Sequence, residues 1–171
     1  MDLLDRQDVV LLAELQRDSH QTVQQLADRV GLSSTPCWKR IKDLESTGVI
    51  QGYTALIDRE RVGLALCVIA EINLTRHNED VVTQFEKEVA ACPQIVGCYA
   101  TTGQADYVIK VLMPDIKGYE RFLHETVFKL PGVTHVRSSV VLKEVKAEMR
   151  LPIELPGKVP SSRRVGTRAH Q

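Results

Sequence analysis

The chain has 171 residues, and its 22 Lys and Arg balance its 22 Asp and Glu. Hydrophobic residues make up 43% and charged residues 26%, close to an ordinary soluble protein, so a wholly disordered chain is excluded and one domain or two small ones fit the length. No apolar run approaches the ~18 residues of a membrane span, the start MDLLDRQD is acidic where a secretion signal is basic, and zero net charge excludes a histone-like polycation without excluding a local nucleic-acid patch.

Residues 5–18 carry Val9, Leu11, Leu12, Ala13 and Leu15 at helical spacing, with Asp2 and Asp5 at the end where the helix dipole favours anions. Thr22 then reads as an N-cap for VQQLADRV, whose Val23, Leu26, Ala27 and Val30 share one face. Gly31 follows as a residue free to adopt positive φ, and Leu32 points back to the core. Thr35 reads as the cap and Pro36 as the first residue of a third helix, CWKRIKDLEST, which stops at Gly48. Two short helices joined by a Gly-containing turn form the helix-turn-helix pattern. On the third helix Cys37, Ile41 and Leu44 face the core. Lys39, Lys42 and Ser46 then face outward, with Trp38 and Arg40 on the flanks. The hydroxyls of Ser33, Ser34 and Thr35 sit at the positive end of that helix, which suits a phosphate. Its first turns are where side chains reach base edges, and Lys39 and Lys42 suit phosphates or the guanine edge. An ordinary solvated face fits the same charges, because Asp43 and Glu45 partly offset them.

VIQGYTALID (49–58) alternates and reads as a strand or connecting ribbon, with a second domain beginning near Val62. LALCVIAEINL reads as a strand. Asn78 caps a helix with Val81, Val82, Phe85 and Val89 inward. IVGCYATT is a strand, Gly103-Gln104-Ala105 a turn and DYVIKVLM a strand. Asp115 caps a second helix with Ile116, Tyr119, Phe122, Leu123 and Val127 inward, and VTHVRSSVVLKEVK is a long last strand. The order β-α-β-β-α-β predicts a ferredoxin-like sandwich. The fold class is thus α+β: an N-terminal all-α (winged) helix-turn-helix domain over 1–48, a linker strand over 49–61, a ferredoxin-like effector and oligomerisation domain over 62–151, and a disordered tail over 152–171.

Charge is uneven along this order. Residues 1–60 hold ten acids against seven bases, a net −3, and the Pro-, Gly- and Ser-rich tail from 151 nets +3. The tail fits a plain solvated segment or one that touches DNA phosphates. The four cysteines lack the close spacing of a zinc site and are expected as free, small buried hydrophobes. No phosphate-binding loop, H-E-x-x-H or G-x-S-x-G motif is present, the five histidines lack ligand spacing, and no nucleophile–base set stands out. Neither catalysis nor a metal or cofactor is expected.

The run SSTPCWKRIKDLESTGVIQGY closely resembles the recognition helix and following strand of the Lrp/AsnC (feast/famine) family of transcriptional regulators. TTGQADYVIKV and KLPGVTHVRSSVVLKEVK continue the resemblance, which covers about residues 2–150. It implies a cytoplasmic, nucleoid-associated regulator of amino-acid metabolism or transport genes. Its partners would be double-stranded DNA with a pseudo-palindromic operator, an amino-acid effector, and further copies of itself as a dimer assembling to a tetramer or octamer. By resemblance, Ser33, Ser34, Thr35, Lys39 and Lys42 contact DNA, with Trp38 and Arg40 beside them. Effector-response positions fall at Thr101, Thr102, Gly103, Gln104 and Asp106, and at Ser138, Ser139, Val140 and Val141, with Ala100 and Ile116 adjacent. Gly103 permits positive φ and close backbone approach, and Asp106 suits an ammonium group. A plain turn capped by Asp106 fits the same residues. Some members carry an aromatic at the position of Ser139, so a serine there suits an aromatic, basic or sulphur-bearing amino acid at least as well as leucine. The alternative is an architectural, chromatin-like DNA-binding protein without effector control.

Overall fold

Helix α1 (Arg6–Arg17) starts where Asp5 accepts a bond from the Asp8 N–H and the Asp8 carboxylate accepts one from the Asp5 N–H, a reciprocal capping box. Thr22 and Gln25 make the same reciprocal pair at the start of α2 (Val23–Val30). Gly31, at φ 71°, lets the chain leave α2 through the left-handed region and sends the Leu32 N–H back to the Ala27 carbonyl. α3 (Ser34–Ser46) follows. Leu11, Leu12, Leu26, Ala27, Cys37, Ile41 and Leu44 form one buried cluster among these helices. Ala27 has no accessible surface, consistent with a close crossing that a larger side chain would open. The computed structural model describes residues 4–75 and 79–153 of the chain.

The second unit, Leu56–Ala147, is built on a four-stranded antiparallel sheet in the order β2-β3-β1-β4, from β1 (Leu66–Leu74), β2 (Ile95–Ala100), β3 (Tyr107–Met113) and β4 (Val133–Val140). Helices α4 (Glu79–Ala90) and α5 (Ile116–Glu125) connect them in the predicted β-α-β-β-α-β order. Period-two alternation puts Val68, Ala70 and Ile72 of β1 with Tyr107, Ile109 and Val111 of β3 in a core shared with Phe85, Val89, Tyr119 and Phe122 of the helices. The Phe85 and Tyr107 rings lie 4.8 Å apart. The Tyr107 hydroxyl donates to Glu86 over 2.6 Å; burial first, and the Glu86 carboxylate second, push its pKa up to about 12.

The structure corrects several expectations. α3 begins two residues earlier than predicted, with Ser33 rather than Thr35 at the N-cap. Pro36 is then the third helical residue, where the missing N–H is still harmless. It also cannot donate to a cap, and Ser33 makes no side-chain cap bond. Ala13 is exposed rather than part of the inner stripe of α1. Residues 51–58 form no strand, because no described segment offers them a ladder; Leu56 and Ile57 are 80% and 70% exposed. β4 ends at Val140 instead of continuing to Lys146, since its partner β1 starts at Leu66 and only the Val141 N–H still reaches it, at Cys67. Ile116 is exposed, and Val127 is buried in a short 3-10 turn (Val127–Lys129) beyond α5. Residues 148–153 group with the helical unit rather than with the sheet. There the Gln16 amide bonds both the N–H and the carbonyl of Leu151, and Ile153 packs on the helical core. All four cysteines are free, but only Cys37 and Cys67 are fully buried. The predicted Asn78 cap and the tail from 154 lie outside the described residues.

Phe85 has no accessible surface and joins α4 to the sheet. Phe85→Ala is therefore expected to destabilise the protein by about 3–5 kcal/mol, read as a lower urea midpoint. A loss under about 1 kcal/mol would show that α4 is not part of the core.

Candidate nucleic-acid interface and effector site

Cys37, Ile41 and Leu44 turn one side of α3 inward, and burial pushes the Cys37 thiol pKa up. The opposite side carries Thr35, Lys39 and Lys42 into solvent. Trp38 is 52% exposed on the flank. The N–H groups of Ser34 and Thr35 have no partner among the described residues, since the first backbone bond of the helix is Cys37 N–H to Ser33. Two free donors thus lie at the positive end of the helix that carries the lysines. The Ser34 hydroxyl donates to Gln24 of α2 and so fastens the turn between the helices.

The three predicted cations differ in availability. Lys39 has no ion pair among the described residues. Lys42 is 2.6 Å from Glu45, whose other oxygen accepts from the Tyr53 hydroxyl at 3.1 Å. That bond to Lys42, and then the one from Tyr53, hold the Glu45 carboxyl below its usual range. Arg40 is engaged with Asp5 and Asp8 of α1, at 2.6 and 2.7 Å. α3 closes on Asp43, whose carbonyl takes both the Ser46 and Thr47 hydroxyls.

In the sheet unit, residues 101–106 form a tight loop braced on β1. The Thr101 hydroxyl donates to Ala105 and its N–H to Asp106. The Asp106 N–H donates to Ile72, the Asp106 carboxylate accepts from the Leu74 N–H at 2.8 Å, and the Asn73 amide donates to Gln104. Asp106 thus caps the end of β1 with one oxygen and keeps the other. Gly103 is not in the left-handed region, so the positive φ that a glycine permits is not used there.

Within one chain the eleven predicted effector residues do not converge. Ser138 and Val140 pair with Ala70 and Val68, and Ala100 with Tyr107, so they share the face that α4 and α5 cover. There Ser138 shares a 2.6 Å hydrogen bond with the Tyr119 hydroxyl of α5. Ser139 pairs with Ile69 and faces the uncovered side. A cleft of about 320 Å³ opens on that side, lined by Glu71, Asn73, Gln104, Ala105, His135 and Arg137. Of these only Gln104 is predicted. The others become neighbours through the pairings Glu71↔Arg137 and Asn73↔His135, with 3.6 Å between Glu71 and Arg137. Alternation of charged and apolar residues in β1 and β4 is visible in sequence, but the register that sets these charges opposite each other is not.

Among the described residues no group of three His, Cys, Asp or Glu could hold a metal, and no helix is long and apolar enough to cross a membrane.

Residues 4–51 match the family profile described as winged helix-turn-helix DNA-binding, and residues 67–151 match the Lrp/AsnC ligand binding domain. Three helices are present over the first match, without a β-wing after α3. The chain is 43% identical over 151 residues to the leucine-responsive regulatory protein of Escherichia coli K12, covering 88% of this chain and 92% of that one, and equally similar to that of Klebsiella pneumoniae. A transcriptional regulator of Neisseria meningitidis solved as an L-methionine complex superposes with a TM-score of 0.83 at 33% identity, over 88% of this chain and 97% of that one. An AsnC family transcriptional regulator of Agrobacterium tumefaciens gives 0.83 at 35% identity, over 87% and 97%.

Glu45→Gln removes the carboxylate that holds Lys42. Tighter DNA binding is expected, with a salt dependence steeper by up to about 0.9 in log–log slope for each bound head, the share of a phosphate contact that Glu45 withholds from Lys42. An unchanged slope in a salt titration would show that Lys42 does not meet phosphate.

Proposed function

The chain belongs to the Lrp/AsnC family of DNA-binding transcriptional regulators, and from that premise we propose that it reads an operator through α3 and is switched by an amino acid bound beside the 101–106 loop. Support for the switch comes from the cleft on the uncovered sheet face. Its walls hold one carboxylate, Glu71, and one guanidinium, Arg137, the two charges that an amino-acid zwitterion needs. Gln104 and Ala105 form its lip; Asp106, next in the chain but outside that lining, gives one oxygen to the Leu74 N–H and would offer the other to an ammonium group. A relative at 33% identity is described as a complex with L-methionine, and others are named leucine-responsive; this chain's effector is taken to be of the same chemical class. Its regulon is taken to include genes that transport, make or degrade that amino acid.

At the DNA end, Lys39, Lys42 and the free N–H groups of Ser34 and Thr35 engage phosphates and base edges, with Trp38 at the groove wall. Arg40 serves in a different way, developed below. The working form is a homodimer that assembles further. Tyr99, Leu142, Val145 and Met149 are 63–97% exposed on the sheet unit and the chain that follows it, apolar side chains that further copies would cover. Two heads then read half-sites about 34 Å apart, or a multiple of that. The amino acid acts by binding one assembly state more tightly than another.

The test is calorimetric titration with each of the twenty amino acids, repeated on Asp106→Asn. The asparagine keeps an acceptor for the Leu74 N–H but removes the anion. One amino acid is expected to bind wild type, and to bind the variant at least tenfold more weakly, about 1.4 kcal/mol, with thermal stability retained. No heat with any amino acid would favour an architectural role without effector control. Equal affinity in the variant would remove Asp106 from the site.

A further inference from the structure

Arg40 is the residue of α3 whose surroundings fit DNA contact least. Its guanidinium lies 2.6 Å from an Asp5 oxygen and 2.7 Å from an Asp8 oxygen. Those two carboxylates are also the reciprocal capping box of α1. One guanidinium nitrogen, Nη1, meets both carboxylates and so ties the middle of α3 to the first turn of α1 through charge-assisted bonds. The bonds to Asp8 and Asp5 raise the Arg40 pKa further above its already high value. Side-chain exposure is 30% for Arg40 and 17% for Asp8, so the pair is partly withdrawn from solvent.

Packing alone holds the first half of α3 weakly. Its buried anchors are Cys37, Ile41 and Leu44, and the small Cys37 is the sole buried side chain before Arg40. Ser33 adds no side-chain cap. A second clamp has the same design: Arg29 of α2 pairs with Glu14 of α1, and Arg17 pairs with that carboxylate as well. The acids of α1 thus hold one arginine from each helix of the helix-turn-helix.

We propose that Arg40 is a positioning residue for DNA recognition: clamped by Asp5 and Asp8, it sets the direction in which α3 presents Lys39 and Lys42, and it touches no phosphate. The proposal rests on the DNA-binding role of the helical unit and is independent of the effector. Its signature is a reversal of sign. Removing an acid from a DNA-binding head ordinarily strengthens binding, because it removes repulsion from phosphates. Removing Asp8 should weaken it, because the acid acts through Arg40.

The experiment uses the full chain, a duplex selected by the wild-type protein from a random library, and a shuffled duplex of the same composition. Affinities are measured across a salt series, well below the unfolding midpoint of every variant. Arg40→Gln and Asp8→Asn should each weaken binding to the selected duplex about tenfold, as for members of one charged network, and the double variant should be no weaker than either single one. Arg40→Lys should fall between wild type and Arg40→Gln. Binding to the shuffled duplex should change little, and the salt slope should stay that of wild type. Lys39→Ala, as the phosphate-contact control, should flatten the slope by about 0.9 for each bound head. The proposal is overturned if Arg40→Gln flattens the slope as Lys39→Ala does. It is equally overturned if Asp8→Asn binds as tightly as wild type or more tightly, or if both duplexes weaken alike.

Discussion

A helical head that carries more acids than bases must approach a polyanion. Over residues 1–60 ten acids face seven bases, yet α3 offers two lysines on the face opposite its core and two free N–H groups at its start. Pairing resolves the conflict. Asp5 and Asp8 cap α1 and take Arg40, Glu14 takes Arg17 and Arg29, and Asp28 accepts from Gln24. The acids become part of the frame. Arginines that a sequence sum counts toward DNA are spent in the same frame, so the positive charge left for phosphate is small. Lys39 is available outright and Lys42 only in competition with Glu45. Such a head is expected to bind weakly alone, and the proposed assembly would then have a physical motive, since linked heads gain avidity without new contacts.

The sheet unit separates its tasks by face. α4 and α5 cover one side and leave the other with alternating charges, the Glu71–Arg137 pair and the cleft beside the 101–106 loop. β1 is central to this arrangement. It pairs with both β3 and β4, and its far end is capped by the Asp106 carboxylate. A ligand that touched Asp106 would compete for, or reinforce, a carboxylate that already holds the end of β1. On the proposed reading, ligand and sheet geometry would be joined at that residue.

Local signals were enough to place most elements. Thr22, Gly31, Asp115 and the stripe Cys37, Ile41 and Leu44 act within a turn or two of chain, and each takes the role that its spacing implies. The misplaced ends have local and non-local causes. Pro36 marks the start of α3 loosely, because any of the first helical positions tolerates it. Residues 51–58 alternate like a strand, but alternation does not supply a partner. The reach of β4 depended on where β1 begins. Side-chain partners were the least legible: Arg40 meets Asp8 across 32 residues, and Asn73 meets the Gln104 carbonyl across 31. In sequence Arg40 is one more base between Lys39 and Lys42, and only the fold turns it toward α1. The cleft was hidden for the same reason, since strand register decides that Glu71 and Arg137 stand opposite each other.

The central claim is that few charges on each head meet DNA. The salt dependence of wild-type binding to a palindromic duplex tests it most directly. Two lysines per head and two heads per dimer neutralise at most four phosphates, so the log–log slope should be no steeper than about −4, with about 0.9 contributed by each full contact. A slope of about −8 or steeper would mean that the paired arginines open toward phosphate, and would contradict the account.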